Sequence, residues 1–394
     1  MDTGTTLRRN TCRRAAGTLP VPAVLLLAVL LPAGAILPAA ALETVVESVR
    51  SEEESFRVVL LAGGLANPWG MAFLPDGGIL VTERPGRLKL YRDGSVSEIG
   101  GLPAIRAVGQ GGLLDVVLHP DYARNGWIYF AYSAGRGREL GTRIARARLR
   151  GDRLADVQEL FRMDRGGSTG RHFGSRLVFL PDRTLLFTIG ERGERRRAQG
   201  LDDHAGKTLR IRDDGGIPAD NPFVGRPDAL PQIYTYGNRN AQGMALQPET
   251  GLVWQHEHGP RGGDEVNIIE AGTNYGWPEI TYGREYSGGE VSPDTSAPGM
   301  EQPVIYWVPS IAPSGMSFYN GSAFPGWRGN LFVGALAGRH LRRLVVDGRD
   351  VVHQEVLLEG RLGRIRDVRQ GPDGHLYLLT DERSGELLRL EPVR

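Results

Sequence analysis

Five short stretches of the 394-residue chain carry side chains that can move protons or hold anions. They are Gly109-Gln110-Gly111-Gly112, Arg171-His172-Phe173-Gly174, Gly237-Asn238-Arg239-Asn240, Glu257-His258-Gly259-Pro260 and Arg364-Ile365-Arg366. His172 is the residue type suited to general-base work at neutral pH, because an imidazole titrates there. Taken alone, a histidine reads more readily as a satisfied structural residue. Arg364 and Arg366 are two positions apart, so on a strand both point to one face. Two cations on one face call for an anion opposite. A single arginine carries little weight, since Lys89 and Lys207 are the only lysines among the 47 basic residues. What the five stretches share is their place, at the head or the close of a repeated strand-turn-strand unit.

That unit occurs six times: GMAFLPDGGILVTER (70–84), LLDVVLHPDYARNGWIYFAYS (113–133), RLVFLPDRTLLFTIGE (176–191), GMALQPETGLVWQHEHG (243–259), GMSFYNGSAFPGWRGNLFVGAL (315–336) and IRDVRQGPDGHLYLLTDE (365–382). Pro75, Pro120, Pro181, Pro248, Pro325 and Pro372 mark their turns. With 55 Gly and 25 Pro the chain turns often, and no long amphipathic helical period follows Ser51. Repetition on this scale in an all-β chain predicts a six-bladed β-propeller with four-stranded antiparallel blades. Each unit buries its apolar faces only by stacking on neighbours, and a closed ring leaves no end unit. The segment 56–61 (FRVVLL) is expected to complete the last blade. A β-sandwich followed by a second β domain is the alternative, but the repeats run end to end without a linker. The longest insertion, 260–308, is expected to cover one face. In a propeller the loops leading into the blades converge on the central channel, which brings the five polar stretches together.

The first 41 residues read as an export signal, leaving 42–394 as one propeller domain. Arg8, Arg9, Arg13 and Arg14 precede the apolar run 21–31, and Ala39-Ala40-Ala41 offers a cleavage pattern. Pro32 and Pro38 break up a run already short for a membrane span. The expected location is the periplasm or outside the cell. Cys12, the sole cysteine, lies in the removed segment, so a disulfide framework and a zinc-cysteine site are excluded. A formal net charge of +1 argues against nucleic acid as partner. The mature chain is expected to be a monomer with no membrane span.

The order of motifs resembles the soluble pyrroloquinoline quinone (PQQ)-dependent aldose sugar dehydrogenases, relatives of soluble glucose dehydrogenase. The resemblance runs from NPWGMAFLPDG at Asn67 to LYLLTDE ending at Glu382. It is carried by GQGGLLDV (109–116), RHFGSRLVF (171–179), YGNRNAQGMA (236–245), EHGPRGGDEVN (257–267) and GRIRDVRQGPDG (363–374). It implies that His172 takes the proton from the anomeric hydroxyl of an aldose while PQQ accepts the hydride from C1, giving the lactone. Electrons then leave to an external acceptor. Glu191 is implied as the acid that orients His172, and Gln110 as a contact at the substrate end. Arg239 and Asn240 are implied beside the reactive quinone carbonyl, where Arg239 can stabilise developing negative charge. Arg364 and Arg366 suit the cofactor's carboxylates, and Tyr286 resembles a residue packed on its face. A loop that carries a cofactor-binding lysine in the glucose dehydrogenases reads Ala337-Gly338-Arg339 here, with all three implied to line the cofactor. This departure points to the broad-specificity aldose branch.

Calcium is implied as well. One ion bridges cofactor and protein through the carbonyls of Gly259 and Pro260, acting as a Lewis acid. A second is implied on the Glu265 side chain and the Tyr275 carbonyl. Two other classes compete. A calcium-dependent lactonase or esterase-type hydrolase needs several side-chain carboxylates and amides converging on one ion, whereas the loops here offer an anion-binding set. A non-catalytic carbohydrate-binding propeller leaves the His172 and Glu191 pairing without a purpose.

Overall fold

The computed structural model describes residues 42–393; the signal segment 1–41 expected from the sequence lies outside them. The chain forms six antiparallel sheets. Their innermost strands are Pro68–Phe73, Leu113–Leu118, Leu177–Phe179, Ala241–Leu246, Pro313–Phe318 and Ile365–Gln370. Each neighbours the next, and the last neighbours the first, which makes the six-bladed propeller the repeats predict. The turn chemistry is visible in the hairpins. Leu74 N donates to Gly78 O at 2.7 Å, and Gly371 N to His375 O at 2.8 Å. In the third blade Arg183 takes the left-handed position of this turn, at φ +68°.

Second strands such as Ile79–Glu83, Leu185–Ile189 and Leu376–Thr380 are buried at every position. Their near-continuous apolar sequence fits strands covered on both faces by neighbouring blades. Outer strands such as Ser95–Ile99 face solvent and carry polar residues. Strand Ser55–Leu65 closes the ring by pairing with Gly385–Pro392, from Phe56 opposite Pro392 to Leu65 opposite Gly385. Phe56 also packs edge-on against Trp327 at 5.3 Å. The sequence reading missed a fifth strand in this blade, Glu43–Arg50, which pairs with Ser55–Leu65 at the outer edge.

An ionic cluster crosses the axis. Arg176 lies 3.1 Å from both Asp115 and Asp367, and Arg369 lies 2.8 Å from Asp115 and 3.1 Å from Asp367. Arg176 Nε donates to Gln242 O at 2.9 Å, so the cluster ties together blades two, three, four and six. Buried charges of this kind persist only when paired.

The insertion departs from expectation. Strands Asp264–Ile268 and Ile305–Trp307 fall within 260–308, so the true insertion is 269–304, between the third and fourth strands of blade four. It climbs along blade three, with Tyr236 N donating to Thr273 O at 3.1 Å and Tyr275 N to Tyr236 O at 2.9 Å. Only its segment 275–281 reaches the candidate site. No helix among the described residues is long and apolar enough to cross a membrane.

Candidate active site

The loops before each innermost strand, and those after each second strand, gather at one mouth of the channel. His172 leads into blade three and Glu191 follows that blade's second strand, so one blade supplies both. His172 Nδ1 lies 2.8 Å from Glu191 Oε1, and both side chains are buried. Burial, with help from the charges of Arg239 and Arg192, holds the imidazole below its ordinary pKa, although Glu191 opposes this. Burial would raise the Glu191 carboxyl. The bond to His172 and the charges of His172 and Arg239 outweigh it and hold the carboxyl below its usual range.

Gln110 reaches the pair from blade two. Its Oε1 accepts from His172 N at 2.8 Å, and its own backbone N donates to Gly170 O at 2.8 Å. Asn240 arrives from blade four, its Oδ1 accepting from Gly174 N at 3.2 Å. Its Nδ2 is buried without an acceptor.

Beside these residues opens a cavity of about 240 Å³ lined by Trp69, Arg84, Gln110, Gln242, His258 and Ala312, then Leu336, Arg364, Arg366 and Asp381. Arg364 and Arg366 do share one face, and the anion opposite them is Asp381. Its Oδ2 accepts from Arg364 Nη2 at 3.0 Å and from Arg366 Nη2 at 2.9 Å. Burial alone would raise Asp381, but the two guanidinium groups hold it at about 2. Arg366 also donates to Gln242 Oε1 at 2.8 Å, while its Nε is buried without a partner. Three arginines and a single carboxylate on the wall suit a flat ligand bearing carboxylates and carbonyls.

A second, smaller cavity lies next to the first and shares His258 with it. It is lined by Arg239, Glu257, Gly259, Glu265, Tyr275 and Trp277 among others. The Arg239 guanidinium donates to the carbonyls of His258 at 3.0 Å and Gly259 at 2.9 Å. The Gly259 carbonyl expected to hold the bridging calcium therefore already faces a cation, and the arrangement here does not fit an ion at that carbonyl. The Glu265 carboxylate differs. Burial and the adjacent Glu257 push it up, and Asn267 at 3.4 Å is its sole side-chain donor among the described residues. A half-buried acid with so little compensation, next to the buried Glu257, fits a cation.

Three expectations need correction. Tyr286 is 71% exposed and does not line the cofactor cavity. Ala337, Gly338 and Arg339 lie at its rim, where Leu336 does the lining; Ala337 N and Gly338 N both donate to Ile311 O at 3.0 Å. Arg239 lines the second cavity, with its guanidinium 5.4 Å from the Trp277 ring. Other residues take roles that the sequence did not assign. Glu257 accepts from Asn238 Nδ2 at 3.0 Å and from the backbone N atoms of Arg239 and Asn240, so it shapes the loop leading into blade four. Lys207 is fully buried, with Nζ donating to the carbonyls of Arg197, Ala198 and Ala205 at 2.6–3.0 Å. It pins the loop that follows Glu191. Being one of just two lysines was its only signal.

Fold and site together define a six-bladed propeller with a histidine–glutamate pair at one mouth of its channel, beside an arginine-walled cavity. The chain belongs to the glucose/sorbosone dehydrogenase family, whose profile matches residues 65–389. It is 46% identical over 344 residues to the aldose sugar dehydrogenase YliI of Escherichia coli, covering 85% of this chain and 92% of that one. It is 29% identical to quinoprotein glucose dehydrogenase B of Acinetobacter calcoaceticus, covering 84% and 87%. Among solved structures, the apo soluble aldose sugar dehydrogenase of Escherichia coli superimposes with a TM-score of 0.84 at 45% identity, covering 86% of this chain and all of that one. The PQQ-bound aldose sugar dehydrogenase of Streptomyces coelicolor does so with a TM-score of 0.70 at 30% identity, covering 84% and 96%.

Proposed function

We propose that the protein is a PQQ-dependent aldose dehydrogenase of the periplasm that oxidises C1 of an aldose to the lactone. The observation that carries this reading is the His172–Glu191 pair beside the arginine-walled cavity. Nδ1 is committed to Glu191, and Nε2 has no protein partner among the described residues. The free nitrogen is the one that takes the anomeric hydroxyl proton. Glu191, held ionised, then stabilises the imidazolium and keeps the ring oriented. Gln110 is anchored to His172 N through Oε1, which leaves its amide N–H groups for the sugar. Arg364, Arg366 and Arg84 would hold the cofactor's carboxylates, with Trp69 and Gln242 completing its walls. PQQ bound there would supply the two-electron acceptor for the C1 hydride. Calcium would sit at Glu265 with the Tyr275 carbonyl and neutralise the acids there. The partners are an aldose and an external electron acceptor, and the mature chain works as a monomer.

The test uses mature protein, with PQQ and calcium added back, a panel of aldoses and an artificial dye. Dye reduction that requires PQQ, together with weaker PQQ binding by Arg366→Ala in a fluorescence titration, is the expected result. Absence of both PQQ binding and dye reduction would overturn the reading.

A further inference from the structure

Arg192 directly follows Glu191 and is fully buried, yet no carboxylate pairs with it among the described residues. Its guanidinium spends Nη1 and Nη2 on backbone carbonyls instead, while Nε is buried without a partner. Nη1 donates to Arg171 O, and Nη2 to Thr169 O at 2.8 Å and Leu140 O at 3.4 Å. Cζ stands 3.5 Å from the centroid of the Phe173 ring. In return, Thr169 Oγ1 donates to Arg192 O at 2.6 Å. The side chain therefore grips the residues on both sides of His172. That grip has something to hold, because His172 adopts φ +54°. A left-handed backbone is unfavourable for a non-glycine residue.

Burying a guanidinium without an acid is itself unfavourable, and burial lowers the Arg192 pKa to about 10. A space-filling role would be met by an apolar side chain without that cost. Directed bonds to several carbonyls require the rigid fork of arginine. We propose that Arg192 is a positioning residue for the base, clamping the 169–173 segment so that His172 keeps its left-handed backbone and its contact with Glu191. This inference rests on the reading of His172 as the base. The strand end Glu191-Arg192 then works in two parts, with the acid holding the ring and the arginine holding the backbone beneath it. Three charged groups face the imidazole. Glu191 favours its protonated form, while Arg192 and Arg239, from the loop into blade four, disfavour it.

The experiment compares wild type, Arg192→Gln, Arg192→Lys and His172→Asn. The titration midpoint of His172 is read by NMR on the apoprotein, its resonance assigned by loss in His172→Asn. Steady-state kinetics are measured after PQQ loading. Arg192→Gln should lower kcat by roughly tenfold to a hundredfold, with KM and PQQ affinity little changed. Arg192→Lys keeps the charge but cannot bridge both Arg171 and Thr169, so kcat should fall and the His172 midpoint should drop below the wild-type value as the Glu191 contact loosens. If Arg192→Gln does not fold, Arg192→Lys decides the matter, and wild-type kcat in it overturns the proposal. An unmoved midpoint in folded Arg192→Lys does the same. Full activity in His172→Asn removes the base reading and this inference with it, an outcome recognisable because Arg192 is intact there.

Discussion

At the scale of single residues, the site depends on which buried charges are compensated. Glu191→Gln removes the carboxylate that favours the charged imidazole, so the acid limb of the kcat–pH profile should move to lower pH while its plateau falls by about 10²-fold. A profile unchanged in position and height would show that Glu191 does not act on the base. His256 offers a test of stability. Both its ring nitrogens are buried without partners, and burial, with the charge of Arg176, lowers its pKa to about 3. The unfolded chain binds this proton at the ordinary histidine pKa of about 6.5, so between pH 6.5 and 3 the unfolded state holds more protons. Stability therefore falls as pH drops through that window, by up to about 1.4 kcal/mol per pH unit. In urea unfolding at pH 7 and pH 4.5, His256→Gln should lose less stability on acidification than wild type. Equal losses would contradict the assignment. His172 was legible only through the motif order around it, since a histidine alone reads as structural, whereas the two-residue spacing of Arg364 and Arg366 puts both on one face. Asp381, Glu257 and Arg192 were not, because their partners are backbone groups or distant side chains that no local pattern reveals.

At the scale of elements, close backbone approaches bring the site together. Gly109 has φ +60°, and a Cβ there would stand 2.4 Å from Gly170 O, where the Gln110 loop crosses the His172 loop. Gly109→Ala should separate these loops, release Gln110 from His172 and lower kcat together with Tm. Gly77 is the control, since its φ is +85° but a Cβ there would meet nothing within 4 Å. Gly77→Ala should cost only about 1 kcal/mol and leave kcat unchanged. Equal kinetic effects in the two variants would show that the crossing does not position the site. Hairpins were the most legible elements, because proline, aspartate and glycine fix their turns. The insertion was less so. Of its flanking strands, Asp264–Ile268 opens on two acids and Ile305–Trp307 is only three residues long, so both read as loop until the neighbouring strand is seen.

For the whole molecule, the ring explains why residues far apart in sequence meet at one mouth. Closure depends on Ser55–Leu65, whose Phe56 and Val58 lie in the core shared with Trp327, Leu388 and Leu390. A chain starting at Ser51 loses just the outer fifth strand and should fold with intact activity, whereas one starting at Asn67 leaves the last blade unclosed and should not fold cooperatively. Thermal unfolding followed by circular dichroism distinguishes them; a cooperative transition in the shorter chain would show that closure is dispensable. Repetition made the propeller legible, but the strand Glu43–Arg50 has no counterpart in the other five blades and so left no repeat to find. The central claim is that this ring places His172 to take the sugar's proton as C1 is oxidised. The most direct measurement is single-turnover reduction of the PQQ-loaded protein by ordinary and C1-deuterated glucose, in wild type and His172→Gln. Deuterium should slow the wild-type step, and His172→Gln should slow it by about 10²–10⁴-fold with PQQ affinity unchanged. A His172→Gln protein that binds PQQ and turns over within about tenfold of wild type would contradict it.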